Sequence, residues 1–241
     1  WETFNSDEIV PYLVQLDQRL ANGETTADTT AVADTAKVAK AAEPKLELNA
    51  NKKGNAKLNV TDEAKIAEAK RAHPLLSMLQ TTGNGALALV GFASVRDTAE
   101  INKAIYSATA KQVLPSDLKL MWSAKPEEGI KAKNIYGLYA IKVTTANGRA
   151  PLEGDVITDA KDQFNSVTGA PEVGMTMNTE GSRRWAALTK ANTGKAIAIV
   201  LDGVVYSAPR VNGEIDGGQS SISGSFTIED TKDLANTLKS G

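Results

Sequence analysis

The spacing of apolar residues divides this 241-residue chain into a helical start, a long polar stretch and a strongly patterned remainder. Ile9, Val10, Leu13, Leu16 and Leu20 recur at three- and four-residue spacing, which predicts a helix over residues 7–20. Asn5 and Glu8 have capping-box spacing ahead of it. Pro11 suits only a first turn, so the pattern places the start near Glu8. Residues 22–43 are mostly Ala and Thr, and residues 45–60 are rich in Lys and Asn. Residues 22–43 have too few large apolar groups to offset their ordering entropy and read as a poorly ordered surface insertion or mobile linker, or at best a weak helix near their end. Thr61 then caps a short charged helix that stops before Pro74.

Patterning strengthens from residue 75. "ALALVGF" (86–92) predicts a buried strand, and Asp97 with Glu100 forms a capping-box pair ahead of a helix through Ile101, Ile105 and Tyr106. "LKLMWSA" (118–124) and "LYAIKV" (138–143) predict two further strands. "LEGDVITDAKDQF" (152–164) predicts a short helix, and "PEVGMTMN" (171–178) a strand with Val173, Met175 and Met177 on one face. Asn178 caps a helix whose inward face is Trp185, Leu188 and Ala191, and Gly194 follows where a left-handed C-terminal residue belongs. "AIAIVLDGVVYSAP" (196–209) holds two apolar runs around Asp202-Gly203, a hairpin corner. Thr227 and Asp230 open a last helix through Leu234 and Leu238. Together these elements predict an α+β fold: a mostly antiparallel sheet with helices packed on one face, plus the poorly ordered Ala/Thr-rich insertion.

Composition narrows the function. Twenty-seven basic and 29 acidic residues give a net charge of −2, which argues against non-specific nucleic-acid binding. There is no cysteine, hence no disulfide, thiolate nucleophile or Cys-based metal site. No apolar run approaches the roughly 20 residues that span a bilayer. No heptad pattern appears, so a monomer is expected.

Candidate chemistry is sparse. His73, the one histidine, sits before Pro74 and reads as a surface residue ending a helix; a catalytic role needs an orienting carboxylate and a nucleophile. Asp155, Asp159 and Asp162 fall in one predicted helical stretch, where Asp155 and Asp159 share a face. Arg183-Arg184 beside Trp185 offers an anion or stacking site, against the plainer reading of a solvated pair flanking a core tryptophan. "GNGALA" (83–88) half-matches a dinucleotide fingerprint but precedes a strand instead of following one. No cofactor or metal is expected.

The last ninety residues resemble the SecD family of bacterial protein-export proteins, including fused SecDF chains. "LEGDVITDA" (152–160) is similar to the family's L-T-G-x-x-L/V-x-x-A segment, with Glu153 where Thr is usual. "NTEGSRRWAALTKANTGKAIAIVLDGVVYSAPRVNGEIDGG" (178–218) resembles the stretch in which a Glu-Gly helix leads to Thr189, Asn192, Gly194-Lys195, the Leu-Asp-Gly corner and Ser207-Ala208-Pro209. "ISGSFTIEDTKDLANTLKSG" (222–241) resembles the closing segment, with Asp230 for its second Glu and Thr231 for its Ala. "WETFNSDE" looks like the sequence just after a Leu-Glu-Phe strand that follows the family's first extracytoplasmic subdomain. Residues 1 to about 150 are covered more loosely.

The resemblance implies the first extracytoplasmic (P1) domain of a Sec translocon accessory protein, on the periplasmic side of the inner membrane, with most of its ferredoxin-like base omitted. Expected divisions are an N-terminal helix (1–22), a variable insertion (23–74), an α+β insertion lobe (75–150) and a head-type subdomain (151–241). Expected partners are unfolded preprotein, the translocon channel and the SecF part, with the membrane reached through flanking helices. Function would be non-enzymatic assistance to proton-motive-force-dependent export. Tyr206, Pro209, Val211, Gly213, Gly217, Gly218 and Gln219 are the expected polypeptide-contacting residues, because sheet edges bind chains through main-chain hydrogen bonds. Asn192, Gly194, Asp202, Gly203 and Gly224 are expected to shape the fold. The competing class is a stand-alone extracytoplasmic α+β ligand-binding or hydrolytic domain using Asp155, Asp159 or Arg183-Arg184.

Overall fold

The computed structural model describes residues 1–23, 67–82, 87–127 and 134–240. The Ala/Thr-rich tract, Thr61 and the start of the "GNGALA" segment lie outside them. The architecture is α+β, and every strand pair is antiparallel. Among the described residues no helix is long and apolar enough to cross a membrane.

Helix α1 (Ser6–Ala21) follows the short strand β1 (Glu2–Thr3). Asn5 and Glu8 form the expected capping box, but the helix starts before Glu8 and carries Pro11 inside it. The exposed ring sits on the solvent side, opposite the buried stripe Ile9, Leu13 and Leu16. Helix packing outweighs the one missing N–H there. A short helix, α2 (67–72), ends before Pro74 as expected.

The first sheet is built around β5 (Ile135–Lys142), which pairs with β1, with β3 (Leu89–Ser94) and with β4 (Leu118–Trp122); β2 (Gln80–Thr81) extends it beyond β3. Side chains alternate across β5. Leu138 and Ala140 share a core with α1, α3 (Thr98–Ile105) and α4 (Ala108–Val113). Ile141 and Tyr139 face the other way, toward Ala198 and Val205. Asp97 holds the N-cap position of α3 but its side chain makes no capping bond, so the Asp97–Glu100 box does not form. Its backbone is already helical, a geometry that turns the side chain away from the orphan N–H groups. Tyr106 ends α3 and donates its hydroxyl to the Leu120 carbonyl at 2.8 Å.

The second sheet runs β10–β7–β6. Its strands are β6 (Ile157–Phe164), β7 (Pro171–Met177) and β10 (Gln219–Ile222). Residues 157–164 are thus a strand and not the predicted helix; only Gly154–Val156 forms a single helical turn. Asp155 and Asp159 mimic helical spacing, but pairing with β7 from Ile157↔Met177 to Phe164↔Pro171 decides the conformation. Helices α5 (Thr179–Ala191) and α6 (Ile228–Ser240) cover this sheet, contributing Trp185, Leu234 and Leu238 to its core. The Asn178 side chain caps α5 by accepting from the Gly181 N–H at 2.8 Å. Ala191, expected on the inward face, is exposed; Gly181, Trp185 and Thr189 are the buried positions. The two-stranded hairpin β8 (Ile199–Leu201) and β9 (Val204–Ser207) stands between the two sheets. Asp202 (φ 50°) and Gly203 (φ 80°) make its corner, as a type I′ turn requires.

Candidate functional site

Between the two sheets the chain leaves an apolar groove of about 460 Å³. Strand periodicity brings Met175 and Met177 to it from β7, and helical spacing brings Trp185 and Leu188 from α5. Residues Ile199–Leu201 of β8 form another wall, and Leu238 of α6 closes an end. The far side comes from Trp1 and from Met121 on β4. Charge is confined to a few lining residues: Arg149 pairs with Glu153 at 3.2 Å, and the Lys119 ammonium lies 5.7 Å from the Trp1 ring centroid. Trp185 is 8% exposed, and its indole N–H finds no acceptor among the described residues.

A smaller cleft of about 280 Å³ lies where residues 123–127 meet β9 and the start of α6. It is polar. Lys125 pairs with Asp230, which also accepts from the Thr227 N–H at 3.0 Å. The Lys125 hydrogen bond, aided by Thr227, holds the Asp230 carboxyl below the usual carboxylate range. The Tyr139 hydroxyl donates to Glu127 at 3.0 Å, and burial together with that carboxylate pushes the phenol well above its ordinary value.

The residues expected to contact polypeptide do not gather in one place. Tyr206 is half-buried and lines the smaller cleft. The Pro209 carbonyl accepts from the Ile197 N–H at 3.1 Å. Val211 is 6% exposed and belongs to the second core. Gly213 is half-buried, in a loop whose Ile215 N–H donates to the Thr189 hydroxyl at 2.9 Å. Gly217 and Gly218 adopt φ of 77° and 70° and turn the chain into β10, which the exposed Gln219 begins. Among the five shaping residues, Asn192 donates to Glu2 at 2.9 Å, and Gly194 (φ 81°) donates its N–H to Val211 at 2.8 Å. Gly203 lines the groove beside Asp202 in the corner, and a Cβ at Gly224 would stand 3.0 Å from the Phe226 ring.

The candidate catalytic groups are dispersed or paired. Asp159 is held by Lys161 at 2.8 Å and Lys239 at 3.5 Å, which keep its carboxyl below the ordinary range. With Asp155 in the Gly154–Val156 turn and Asp159 on β6, the two no longer share a helical face. Arg184 donates to the Pro151 carbonyl at 2.7 Å and pairs with Glu180 at 3.6 Å, flanking the core Trp185. His73 does meet a carboxylate: its Nδ1 is 2.9 Å from Asp17, a 1% exposed side chain that also accepts from the Leu75 and Leu76 N–H groups. Sequence reading missed Asp17, whose partners lie more than fifty residues away. The groove was also missed, because its walls come from both halves of the chain. Among the described residues no group of three His, Cys, Asp or Glu side chains stands close enough to hold a metal ion.

Residues 138–241 match the family described as SecDF, P1 head subdomain. The protein translocase subunit SecD of Rhodothermus marinus is 41% identical over 173 residues, covering 70% of this chain and 26% of the relative. The subunit SecD of Sebaldella termitidis is 46% identical over 97 residues, covering 39% of this chain and 23% of the relative. The chain thus spans about a quarter of the length of these curated relatives. A crystal structure of SecDF in a super-membrane-facing form is 25% identical, covers 76% of this chain and 21% of that one, and superposes loosely with a TM-score of 0.37. The chain belongs to the SecD/SecDF family, and its matched region, residues 138–241, is that of the P1 head subdomain.

Proposed function

We propose that this chain is a non-enzymatic, polypeptide-handling part of a Sec translocon accessory protein at the periplasmic face of the bacterial inner membrane. It engages unfolded preprotein leaving the channel and, with the SecF part and the membrane-embedded remainder, assists export driven by the proton-motive force. The observation that carries this reading is the apolar groove. A groove of about 460 Å³ lined by Met175, Met177, Trp185 and Leu201 has the size and apolar lining to take an apolar segment of another chain. Methionine side chains are unbranched and re-pack around different partners, which suits a site that must accept many sequences. The four expected domain divisions belong to this reading too, with the groove assembled largely by the head-type region.

A second contact has its own support. Strand β10 pairs with β7 alone among the described strands, so its other edge is open to an added strand beginning at Gln219. Gly217 and Gly218 turn the chain into that strand and would flank one end of a chain laid there.

Photocrosslinking in the full-length membrane protein tests both contacts. Probes at Leu201, Tyr206 and Gln219 are compared in the presence of a preprotein stalled in mid-export. Crosslinks from Leu201 are expected, and crosslinks from Gln219 assign the edge as well. Crosslinks confined to a control position on the outer face of α1 would overturn the reading. The hydrolytic alternative draws less support, since Asp159 is paired with Lys161 and Lys239 and Arg184 with Glu180.

A further inference from the structure

We propose that Asn212 is a self-modifying residue: its side chain closes on the Gly213 nitrogen, sheds ammonia and becomes aspartate or isoaspartate. The folded chain, and not the dipeptide alone, selects this position.

Four Asn-Gly pairs stand in the sequence, at Asn22, Asn84, Asn147 and Asn212; Asn84 lies outside the described residues. Glycine has no Cβ to crowd its nitrogen, so these pairs are where an asparagine carboxamide is most readily attacked. The deprotonated glycine nitrogen bonds to the asparagine Cγ and ammonia leaves, which closes a succinimide ring. Water then cleaves the bond between the ring nitrogen and one of its carbonyl carbons. Cleavage at Cγ yields aspartate; cleavage at the main-chain carbonyl yields isoaspartate, whose backbone runs through Cγ. Water is the only co-reactant, and nothing is oxidised or reduced.

The three described pairs differ in what the fold does with the reacting groups. The Gly23 N–H donates to the Leu20 carbonyl at 3.3 Å. The Gly148 N–H donates to the Thr145 carbonyl at 3.1 Å, and the Asn147 Oδ1 accepts from the Arg149 N–H at 3.0 Å, so both groups are tied into a turn. Asn212 is exposed, and among the described residues neither its carboxamide nor the Gly213 N–H has a hydrogen-bond partner. A Cβ built on Gly213 meets nothing within 4 Å, so the pair has room to close. Ring closure at Asn212 needs no bond broken first.

The loop gives the product a consequence. Before the pair, Val211 exchanges backbone hydrogen bonds with Gly194 and Lys195, both at 2.8 Å, and its side chain lies in the second core. After it, the Ile215 N–H donates to the buried Thr189 hydroxyl at 2.9 Å, and Glu214 pairs with Lys190 at 3.1 Å. Isoaspartate inserts an extra main-chain atom between these fastenings. The Val211 end is held by two bonds and full burial, the half-buried Ile215 by a single bond. The Ile215 end therefore lets go, loosening the segment that leads through Gly217 and Gly218 into β10.

The experiment incubates the 241-residue chain in mildly alkaline buffer, with and without urea, and follows each pair by peptide mapping and mass spectrometry. In the folded chain Asn212 is expected to convert at least about fivefold faster than Asn147 or Asn22, the factor imposed by first breaking roughly one net hydrogen bond. In urea the gap is expected to narrow. Gly213→Ala should fold, since the position has room and lacks a left-handed φ, and should slow conversion at Asn212. Equal rates at Asn212 and Asn147 in the folded chain, or a gap unchanged by urea, would overturn selection by the fold. Chain carrying isoaspartate, separated by ion exchange, is then compared with Asn212→Asp, which adds the charge without the extra atom. Hydrogen exchange at the Ile215 N–H is expected to rise in the first and not in the second. Protection retained in the first, or lost in both, would overturn the release of the loop. The rates are ranked on the unsubstituted chain, so the test survives a Gly213→Ala variant that fails to fold.

Discussion

Asn192 and Glu2, 190 positions apart, are joined directly: the Asn192 amide nitrogen donates to the Glu2 carboxylate at 2.9 Å. The same nitrogen reaches the Leu188 carbonyl at 2.9 Å, and Asn192 is 4% exposed. One buried amide thus ties the end of α5 to the first strand of the other sheet. Replacing it with alanine strips the Glu2 carboxylate of this donor, while the Leu188 carbonyl keeps only the backbone N–H of residue 192, at 3.1 Å. Asn192→Ala is expected to lower unfolding free energy by about 1–3 kcal/mol, read from the urea midpoint at constant slope. An unchanged midpoint would show that the seam holds without this bond.

Asp17 makes a larger demand. Its carboxylate serves the N–H groups of Leu75 and Leu76 at 2.8 and 3.0 Å, besides His73. Asp17→Ala leaves those two donors unpaired and should cost about 2–4 kcal/mol, since hydrogen bonds to a charged group contribute roughly 1.5–3 each before relaxation. Asp17→Asn keeps an acceptor and should lose less. Thermal unfolding of the two variants side by side ranks them; equal losses would mean that charge, and not the accepting oxygen, matters.

A Cβ on Gly181 would approach the Val156 Cβ to 2.6 Å. That neighbour is the branched stem of a buried side chain and cannot swing aside. Gly181→Ala should therefore destabilise by about 1–3 kcal/mol of overpacking, although alanine is the better helix former by about 1 kcal/mol. The double variant Gly181→Ala with Val156→Ala should recover part of the loss, which a propensity effect alone would not produce.

The Asp230 cap carries a pH signature. Its folded carboxyl lies below the unfolded value because Lys125 and Thr227 favour the ionised form. Its contribution is therefore present above the ordinary Asp pKa of about 3.9 and is lost as pH falls through the lower folded value. At pH 7, Asp230→Ala should lose about 1 kcal/mol, the usual worth of a capping interaction. The gap to wild type should close in acid. A gap that persists at low pH would assign the effect to packing of the α6 start.

What the sequence disclosed depended on how local the cause was. The Asn178 cap, the Thr227–Asp230 box, the Asp202-Gly203 corner and the alternation of Val173, Met175 and Met177 are each settled within a few residues, and each is present. The helical expectation for residues 157–164 fails because both faces of the strand carry exposed polar residues and Ala160 alone is buried, so no apolar alternation shows; only the partner strand β7 decides the matter. The four-residue strand β10, "QSSI", has one buried residue, Ile222, and no pattern of its own. Pro11 was read by a local rule that packing on the opposite face of α1 overrode. The groove was the least legible feature, since no single segment contains it.

That last point bears on how the molecule comes into being. Trp1 and Leu238 wall the same groove, so it has no precursor in either sheet alone. Contacts this distant in sequence close late, after local helices and hairpins have formed. In refolding from urea, recovery of the near-ultraviolet signal of the groove tryptophans Trp1 and Trp185 should trail recovery of the helical signal, and the lag measures the final docking step. The groove is in effect a certificate of completion: a half-made copy displays secondary structure but has no such space between its sheets.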